Sequence, residues 1–405
     1  MPRYSVVLAT YGRGRCIAST IESVLRQTFC DFELIVVGDG CNDETEEAVR
    51  AFRSERISWR NLAANSGSQG FPNNEGIRHA RGAWIAYIGH DDIWAPDHLA
   101  AVEAVAANGA IDVAVSGCIY HGPPGSNIYQ VNGLFNRSRA ARRHFFPPSS
   151  IAHRRDLVDR IGWWRDPRLL SVPVDIDFQL RASRAGMRFA STGRVTVHKF
   201  AAGHRYLSYL RQSDEEQRAH LAAGESEERN ARMAEEARRA GAFMKPISFR
   251  VGWQEKGRLF RQNLSNKGLR RPPLRPLSQR VAIEQTAEPR ALDWYPLERG
   301  GFRWSGPNPR PKILIPFTGE RAHAALRILD MAPGDISVLV EEQEVEHSLT
   351  RDAHGNHWLR FALPLSGHDY TVVTLCTPMM VRPRFLRPAR RVGLAAGELI
   401  IEPLP

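Results

Sequence analysis

The sequence predicts an α/β domain followed by an all-β module, and three observations carry that reading. From residue 4 to about 120, short apolar runs alternate with amphipathic stretches, the pattern of a mainly parallel sheet with helices on both faces. Between 206 and 290 the chain becomes highly charged, then basic and proline-containing. After about residue 290 come ILIPF, ISVLVEE, HWLRFALPL, YTVVTLCT and VGLAAGELIIEP, separated by Gly, Pro, Asn and Asp. Short strands without intervening helices suit an antiparallel β-sandwich. The expected organisation is an α/β domain over 1–205, a charged helical extension over 206–244, a basic linker over 245–290 and a β-sandwich over 291–405.

The elements of the first domain follow from periodicity. Tyr4–Thr10 is an unbroken apolar run and reads as a strand. Ile17, Ile21, Val24 and Leu25 then recur at helical spacing. Phe32–Gly38 is a second strand, and Asp43–Phe52 a helix whose acidic first turn suits its dipole. Ile57–Leu62, a helix over Asn73–Ala80 and Trp84–Ile88 come next; Pro96 opens a helix to about Ala107, and Asp112–Tyr120 is another strand. Further on, Phe178–Ala185 reads as a helix with Asp175 as its cap. Ser213 followed by Glu216 resembles a capping box, at the start of exposed helices leaving the first domain.

Composition narrows the class. The chain has 405 residues, 42% hydrophobic and 24% charged, which excludes wholesale disorder. No apolar run approaches the roughly 20 residues of a membrane span. The opening MPRYSVVLATYGR reads as a strand and not as a secretory leader. Five scattered cysteines without a CxxC argue for reduced thiols and against a zinc site or disulfide framework. A cytoplasmic protein is expected. The formal charge of +11 is concentrated: ten Lys/Arg lie between Lys245 and Val281, against the single acid Glu255. That segment reads either as a solvated linker or as a patch for the inner face of an anionic membrane. No stacking motif supports nucleic acid as a partner.

Four polar clusters fall at the predicted strand ends: Thr10-Tyr11-Gly12-Arg13, Gly38 to Thr45, Asn65-Ser66-Gly67 with Asn73 and Asn74 beyond, and His90-Asp91-Asp92. Each alone is an ordinary turn or cap. Together they line the carboxyl edge of one sheet, where α/β proteins bind ligands.

In SVVLATYGR, ELIVVGDGCNDETEE, NSG and ARGAWIAYIGHDDIWAPDHL, in that order, residues 4–200 resemble family 2 glycosyltransferases with the Rossmann-like GT-A fold. HRRDLVDRIGWWRDP and VPVDIDFQLRASRAGMRF are similar to the family's acceptor-side segment. The resemblance implies transfer of a sugar, with inversion, from a nucleotide-diphosphate donor, UDP by family habit, to a glycan or lipid-linked acceptor in bacterial surface-polysaccharide synthesis. It implies a divalent cofactor, Mn or Mg, at Asp91, with His198 or His204 as a further metal ligand. Asp39 would read the uracil edge, Thr10, Tyr11 and Arg13 would line the base and phosphate end, and His90 would contact the ribose. Asp175 would be the catalytic base, with Asp177 the competitor unless it pairs with an arginine. Trp163 and Trp164 would stack on acceptor sugar or be buried.

The sequence departs from the family pattern at Gly38, Gly89 and Val174, which replace its usual acids, and at Asn73. These departures keep open a non-catalytic glycan-binding or assembly protein built on a degenerate transferase domain. A nucleotidyltransferase is disfavoured by the lack of a glycine-rich, basic triphosphate loop. The C-terminal DWYPLERGGFRWSGPNPRPKILIPF and RRVGLAAGELIIEP resemble a β-sandwich module appended to polysaccharide enzymes, with Trp304 either stacking on glycan or buried.

Overall fold

The computed structural model describes residues 1–122, 129–135, 145–202, 205–224, 227–239, 261, 264, 267–269, 271–284, 292–295, 297–306, 308–384 and 387–404. The chain divides into two compact units, Met1–Val251 and Gly252–Pro405.

The first unit runs β1 (Tyr4–Thr10), α1 (Ile17–Leu25), β2 (Phe32–Gly38), α2 (Thr45–Arg50), β3 (Ile57–Asn61), α3 (Gly70–His79), β4 (Trp84–Gly89), β5 (Asp92–Trp94) and α4 (His98–Ala106). It continues with β6 (Val113–His121), β7 (Tyr129–Asn132), β8 (Ile151–Arg154), α5 (Leu157–Ile161), α6 (Val174–Arg184), β9 (Phe189–Lys199), α7 (Glu215–Ala222) and α8 (Glu227–Arg239). One nine-stranded sheet has the order β3-β2-β1-β4-β8-β6-β9-β5, with β7 beside β6. The stretch β3-β2-β1-β4 is parallel, and β6 pairs parallel with β9. Strands β5, β7 and β8 pair antiparallel with their neighbours.

Strands β1 and β2 are apolar at almost every position because both faces are covered. Tyr4, Val6, Leu8, Leu34 and Val36 join the cluster that includes Ile17, Ile21, Leu99 and Val102 of α1 and α4. Val7, Ile35 and Val37 join the opposite cluster with Ile77, Trp164 and Phe178. The GT-A-like α/β architecture is thus present.

Helix α2 is shorter than its periodicity suggests, and Asp43 lies before it, bonding the Thr45 hydroxyl at 2.6 Å. Helix α3 begins at Gly70, three residues earlier than its pattern indicates, because loop residue Gln69 already takes helical angles. Strand β5 was not anticipated; three residues are too few for periodicity to register, and its pairing with β9 creates it. The Ser213–Glu216 capping box does not form. Asp214 is the N-cap residue of α7, without a side-chain cap bond, while Glu216 pairs with Arg205 at 2.7 Å. Nor does the segment after 205 leave the domain. Asp214, Gln217, His220, Asn230 and Ala234 are all buried, because one face of each helix packs back on the first unit.

In the second unit, the strands at 281–283, 394–403, 321–331, 357–364 and 347–351 form a sheet in that order, with 303–304 pairing on 394–403. Those at 312–315, 371–376, 337–340 and 343–344 form another, and every pairing in the two sheets is antiparallel. Leu326, Phe361, Leu399 and Ile401 of one sheet share a core with Ile315, Val338, Val373 and Leu375 of the other. That is sandwich packing, with alternate residues facing inward. Trp304 is buried with Val392 and Ala395, and the Arg382 guanidinium lies 4.6 Å from its ring centroid. Its role here is therefore packing. Among the described residues, no helix is long and apolar enough to cross a membrane.

Candidate active site

The strand register brings the four polar clusters to one edge. Thr10 stands opposite Gly38, Ala9 opposite Gly89, and Gly38 opposite Asn61. The residues just beyond these positions therefore share the carboxyl edge of the parallel stretch.

Asp39 lies at the end of β2 and is 4% exposed. Its amide donates to the Thr10 carbonyl at 2.8 Å, and its Oδ1 accepts from the Ser66 amide at 3.0 Å. Gly40 turns the chain there with φ +71°, and a Cβ on it would stand 2.3 Å from the Asn65 nitrogen. Glycine is required by both angle and space. Thr10 is buried, and its Oγ1 has no hydrogen-bond partner among the described residues.

Tyr209 is the hub of the next group, and sequence reasoning missed it because it lies in the stretch read as a departing extension. Its ring is 6.4 Å from that of Tyr11 between centroids, and its hydroxyl is 3.2 Å from His90 Nε2. Arg13 packs over the same ring at 5.0 Å and donates Nη1 to the Ser208 carbonyl. Arg13 is 3% exposed, like Asp39 at 4%, and its guanidinium anchors the Ser208–Tyr209 turn. Gln212 donates to the Gly12 carbonyl at 2.8 Å and Gln217 to the Asp91 carbonyl at 3.3 Å. The 206–217 segment thus laces across the strand ends.

Asp91 follows β4 and is 8% exposed, with Oδ2 accepting from the Ala202 amide at 3.2 Å. Asp92 is fully buried, receives the Ser149 hydroxyl and pairs with the Lys199 ammonium at 2.9 Å. Burial pushes the Asp92 carboxyl up to about 6, against the pull of Lys199. Burial would by itself depress Lys199, but the charges of Asp92 and Asp91 outweigh it and hold the ammonium firmly protonated. Gly89 has a steric reason. A Cβ there would stand 2.9 Å from Asp92 Oδ2, so the buried Asp92–Ser149 pairing occupies the space another acid would need. The site accordingly offers Asp91 as its carboxylate for a divalent cation. This donor set fits a magnesium-like ion, which takes one or two protein carboxylates together with phosphates.

His198 does not join the aspartate pair as the metal assignment expects. Side chains alternate along a strand: Lys199 points to Asp92, while the His198 ring faces His121, 3.0 Å away, and Asn230, 3.1 Å away. His204 lies outside the described residues.

Asp175 sits in the first turn of α6, whose N-cap residue is Pro173, so it is not the cap itself. Its Oδ1 accepts from the Ile176 amide at 2.9 Å. Burial raises its pKa, while the amide bonds, the Lys199 charge and a hydrogen bond from Gln69 pull the other way. Lys199 thus couples electrostatically to Asp91, Asp92 and Asp175. Neither Lys199 nor Gln69 was flagged by sequence, since a lone lysine on a strand or glutamine in a loop carries no motif. Asp177 is taken by Arg181 at 2.8 Å, whose guanidinium also bonds the Ile161, Gly162 and Trp163 carbonyls.

Trp164 corrects the expected stacking on acceptor sugar. Trp164 is 5% exposed, stacked on Phe178 at 4.6 Å, and donates Nε1 to the Tyr87 hydroxyl at 3.1 Å. Asn74 clamps its backbone by two bonds, of 2.8 and 3.0 Å. Trp163 is 38% exposed but lies against Arg78, at 5.4 Å.

Residues 5–161 match the model of the Glycosyl transferase family 2. A UDP-Glc:α-D-GlcNAc-diphosphoundecaprenol β-1,3-glucosyltransferase of Escherichia coli is 33% identical over 95 residues, covering 24% of this chain and 37% of that protein. A PGL/p-HBAD biosynthesis glycosyltransferase of Mycobacterium bovis is 27% identical over 184 residues, 44% of this chain and 69% of that one. The chain thus spans about a third of the length of one relative and about two thirds of the other. Staphylococcus aureus TarS 1–349 superposes with a TM-score of 0.43 at 19% identity, over 66% of this chain and 80% of that structure.

Proposed function

We propose that the chain, whose residues 5–161 match the model of the Glycosyl transferase family 2, moves a sugar from a nucleotide-diphosphate donor to an acceptor hydroxyl with inversion. What supports this reading is the position of Asp39 and Asp91 just beyond the ends of the parallel strands, together with the Lys199 charge acting on both Asp91 and Asp175. Asp39 accepts from a ring N–H of the base, uracil in our reading, and gives the donor its orientation. Tyr11 and His90, gathered on Tyr209, line the nucleoside side. A divalent cation, Mn or Mg, at Asp91 would supply charge stabilisation for the diphosphate.

Asp175 takes the proton of the acceptor hydroxyl as that oxygen bonds the anomeric carbon. The bond from that carbon to the donor phosphate oxygen breaks in the same displacement, and its electron pair leaves with the diphosphate. A base needs a proton affinity nearer the working pH than an exposed carboxylate has, and burial moves Asp175 in that direction. We assign the acceptor to the class of glycan or lipid-linked sugars of bacterial surface-polysaccharide synthesis. The basic segment 245–281, which lies largely outside the described residues, would hold the chain at the cytoplasmic membrane face. Gly38 and Gly89 favour a second reading, a non-catalytic glycan-binding or assembly protein.

Calorimetric titration with UDP and GDP, with and without manganese, separates the two. Manganese-dependent binding of one nucleotide, lost in Asp91→Ala, is the expected result. Absence of binding under every condition would remove the transferase reading in favour of the second.

A further inference from the structure

Three histidines from separate elements meet inside the first unit. His121 ends β6, His198 lies on β9, and His220 is on α7. One ring nitrogen from each falls within 4.8 Å of the others. His198 is 0% and His220 6% exposed, and His121 is half-buried. Phe200 walls the group, stacked on the His121 ring at 4.4 Å.

The protonation pattern follows from Asn230 on α8. Its Nδ2 donates to the Val195 carbonyl at 3.2 Å, which turns its Oδ1 toward His198 Nε2 at 3.1 Å. An amide oxygen only accepts, so His198 carries its hydrogen on Nε2 and a lone pair on Nδ1. That lone pair faces His121 Nε2 at 3.0 Å. A metal-ligating imidazole is commonly oriented this way, its second nitrogen donating to a neighbouring oxygen. Two nitrogens on one tetrahedral ion at ~2.05 Å lie about 3.3 Å apart. The His121–His198 spacing is already close to that, and the third ring, with separations within 4.8 Å, comes in by side-chain adjustment of up to about 1.5 Å.

We propose that His121, His198 and His220 form a binding site for a zinc-class divalent ion. A trio of neutral imidazoles selects borderline ions such as zinc over hard magnesium or manganese. Three protein ligands leave a fourth position for water. The ion would tie β6, β9 and α7 together. Because α7 also carries Gln217, which holds the Asp91 carbonyl, it would fix the segment that crosses the strand ends. His198 then belongs to this site and not to the donor-linked cation at Asp91, and the assignment does not depend on the transferase reading.

The test strips the full-length chain with a chelator and titrates Co2+. One equivalent giving an intense tetrahedral visible spectrum, displaced by Zn2+, is expected. The spectrum should persist in Asp91→Ala and vanish in His121→Gln and His220→Gln. Asn230→Ala should weaken binding roughly 10–100-fold. X-ray absorption at the zinc edge of the wild-type protein counts imidazole ligands directly, which covers variants that do not fold. No tetrahedral signal, fewer than three imidazoles, loss of the signal in Asp91→Ala or its survival in both histidine variants would each overturn the site.

Discussion

Asp175 is the residue on which the proposed chemistry turns. Asp175→Asn keeps the side chain's size and its bond from the Ile176 amide but removes the proton acceptor. Turnover should fall by about 10²–10⁴-fold, with nucleotide affinity within a few-fold of wild type. Initial rates alongside calorimetry check this, and unchanged turnover would move the base elsewhere. Two further residues set a pH response of stability. Burial lowers His98 to about 3 and His153 to about 4, below the roughly 6.5 of an unfolded histidine. Between those values the unfolded chain binds protons that the folded chain refuses, so stability falls as pH falls. Each histidine contributes up to about 1.4 kcal/mol per pH unit in that window. Denaturant midpoints should therefore drop from pH 7 to 5, and His98→Gln should flatten the slope.

At the scale of elements, α3 sets the site through its packing on β1. A Cβ on Gly76 would lie 2.4 Å from Val7 Cγ1, and Val7 is held in the sheet core. Gly76→Ala gains about 1 kcal/mol of helix propensity but forces the helix off the strand, at a typical cost of 1–3 kcal/mol. A net loss of up to about 2 kcal/mol is expected in urea unfolding. Because Gln69 precedes this helix and touches Asp175, turnover in the variant should fall further than nucleotide binding. The 206–217 segment is the other element of consequence. Tyr209→Phe removes the hydroxyl facing His90, and a several-fold loss of nucleotide affinity with little change in stability would support a nucleoside-side role.

Across the whole molecule, the charge is uneven in a way that bears on partners. Of the ten basic residues between 245 and 281, each would contribute about 1 kcal/mol beside an anionic lipid surface. Sedimentation with phosphatidylserine vesicles should show binding at 50 mM salt that is lost at 500 mM, since added salt screens such contacts. Phosphatidylcholine vesicles should not bind. Replacing five of these residues with glutamine should abolish the difference between the two lipids, and equal binding to both would discard the membrane assignment.

Sequence alone determined the two-part architecture and the polar edge of the parallel strands. The apolar runs of β1, β2 and β4 are local in the chain, and each strand places its following turn at the same edge, so Asp39 and Asp91 stood out by position, whereas Asp175, on a helix, was named only through the family resemblance of its segment. The order of the β4–β9 half and strand β5 were not legible, because antiparallel insertions depend on distant pairing. The surroundings of each candidate were likewise decided only by tertiary structure. Trp164 carries the right chemistry but is buried, its indole N–H bonded to Tyr87, 77 positions away. His198 and Lys199 are adjacent in sequence, yet the pleat sends one to a histidine cluster and the other to the aspartates. Tyr209 gained its place because the chain after 205 returns over the strand ends. Short-range patterns encode which strands form and where they stop; which side chains then meet depends on long-range packing.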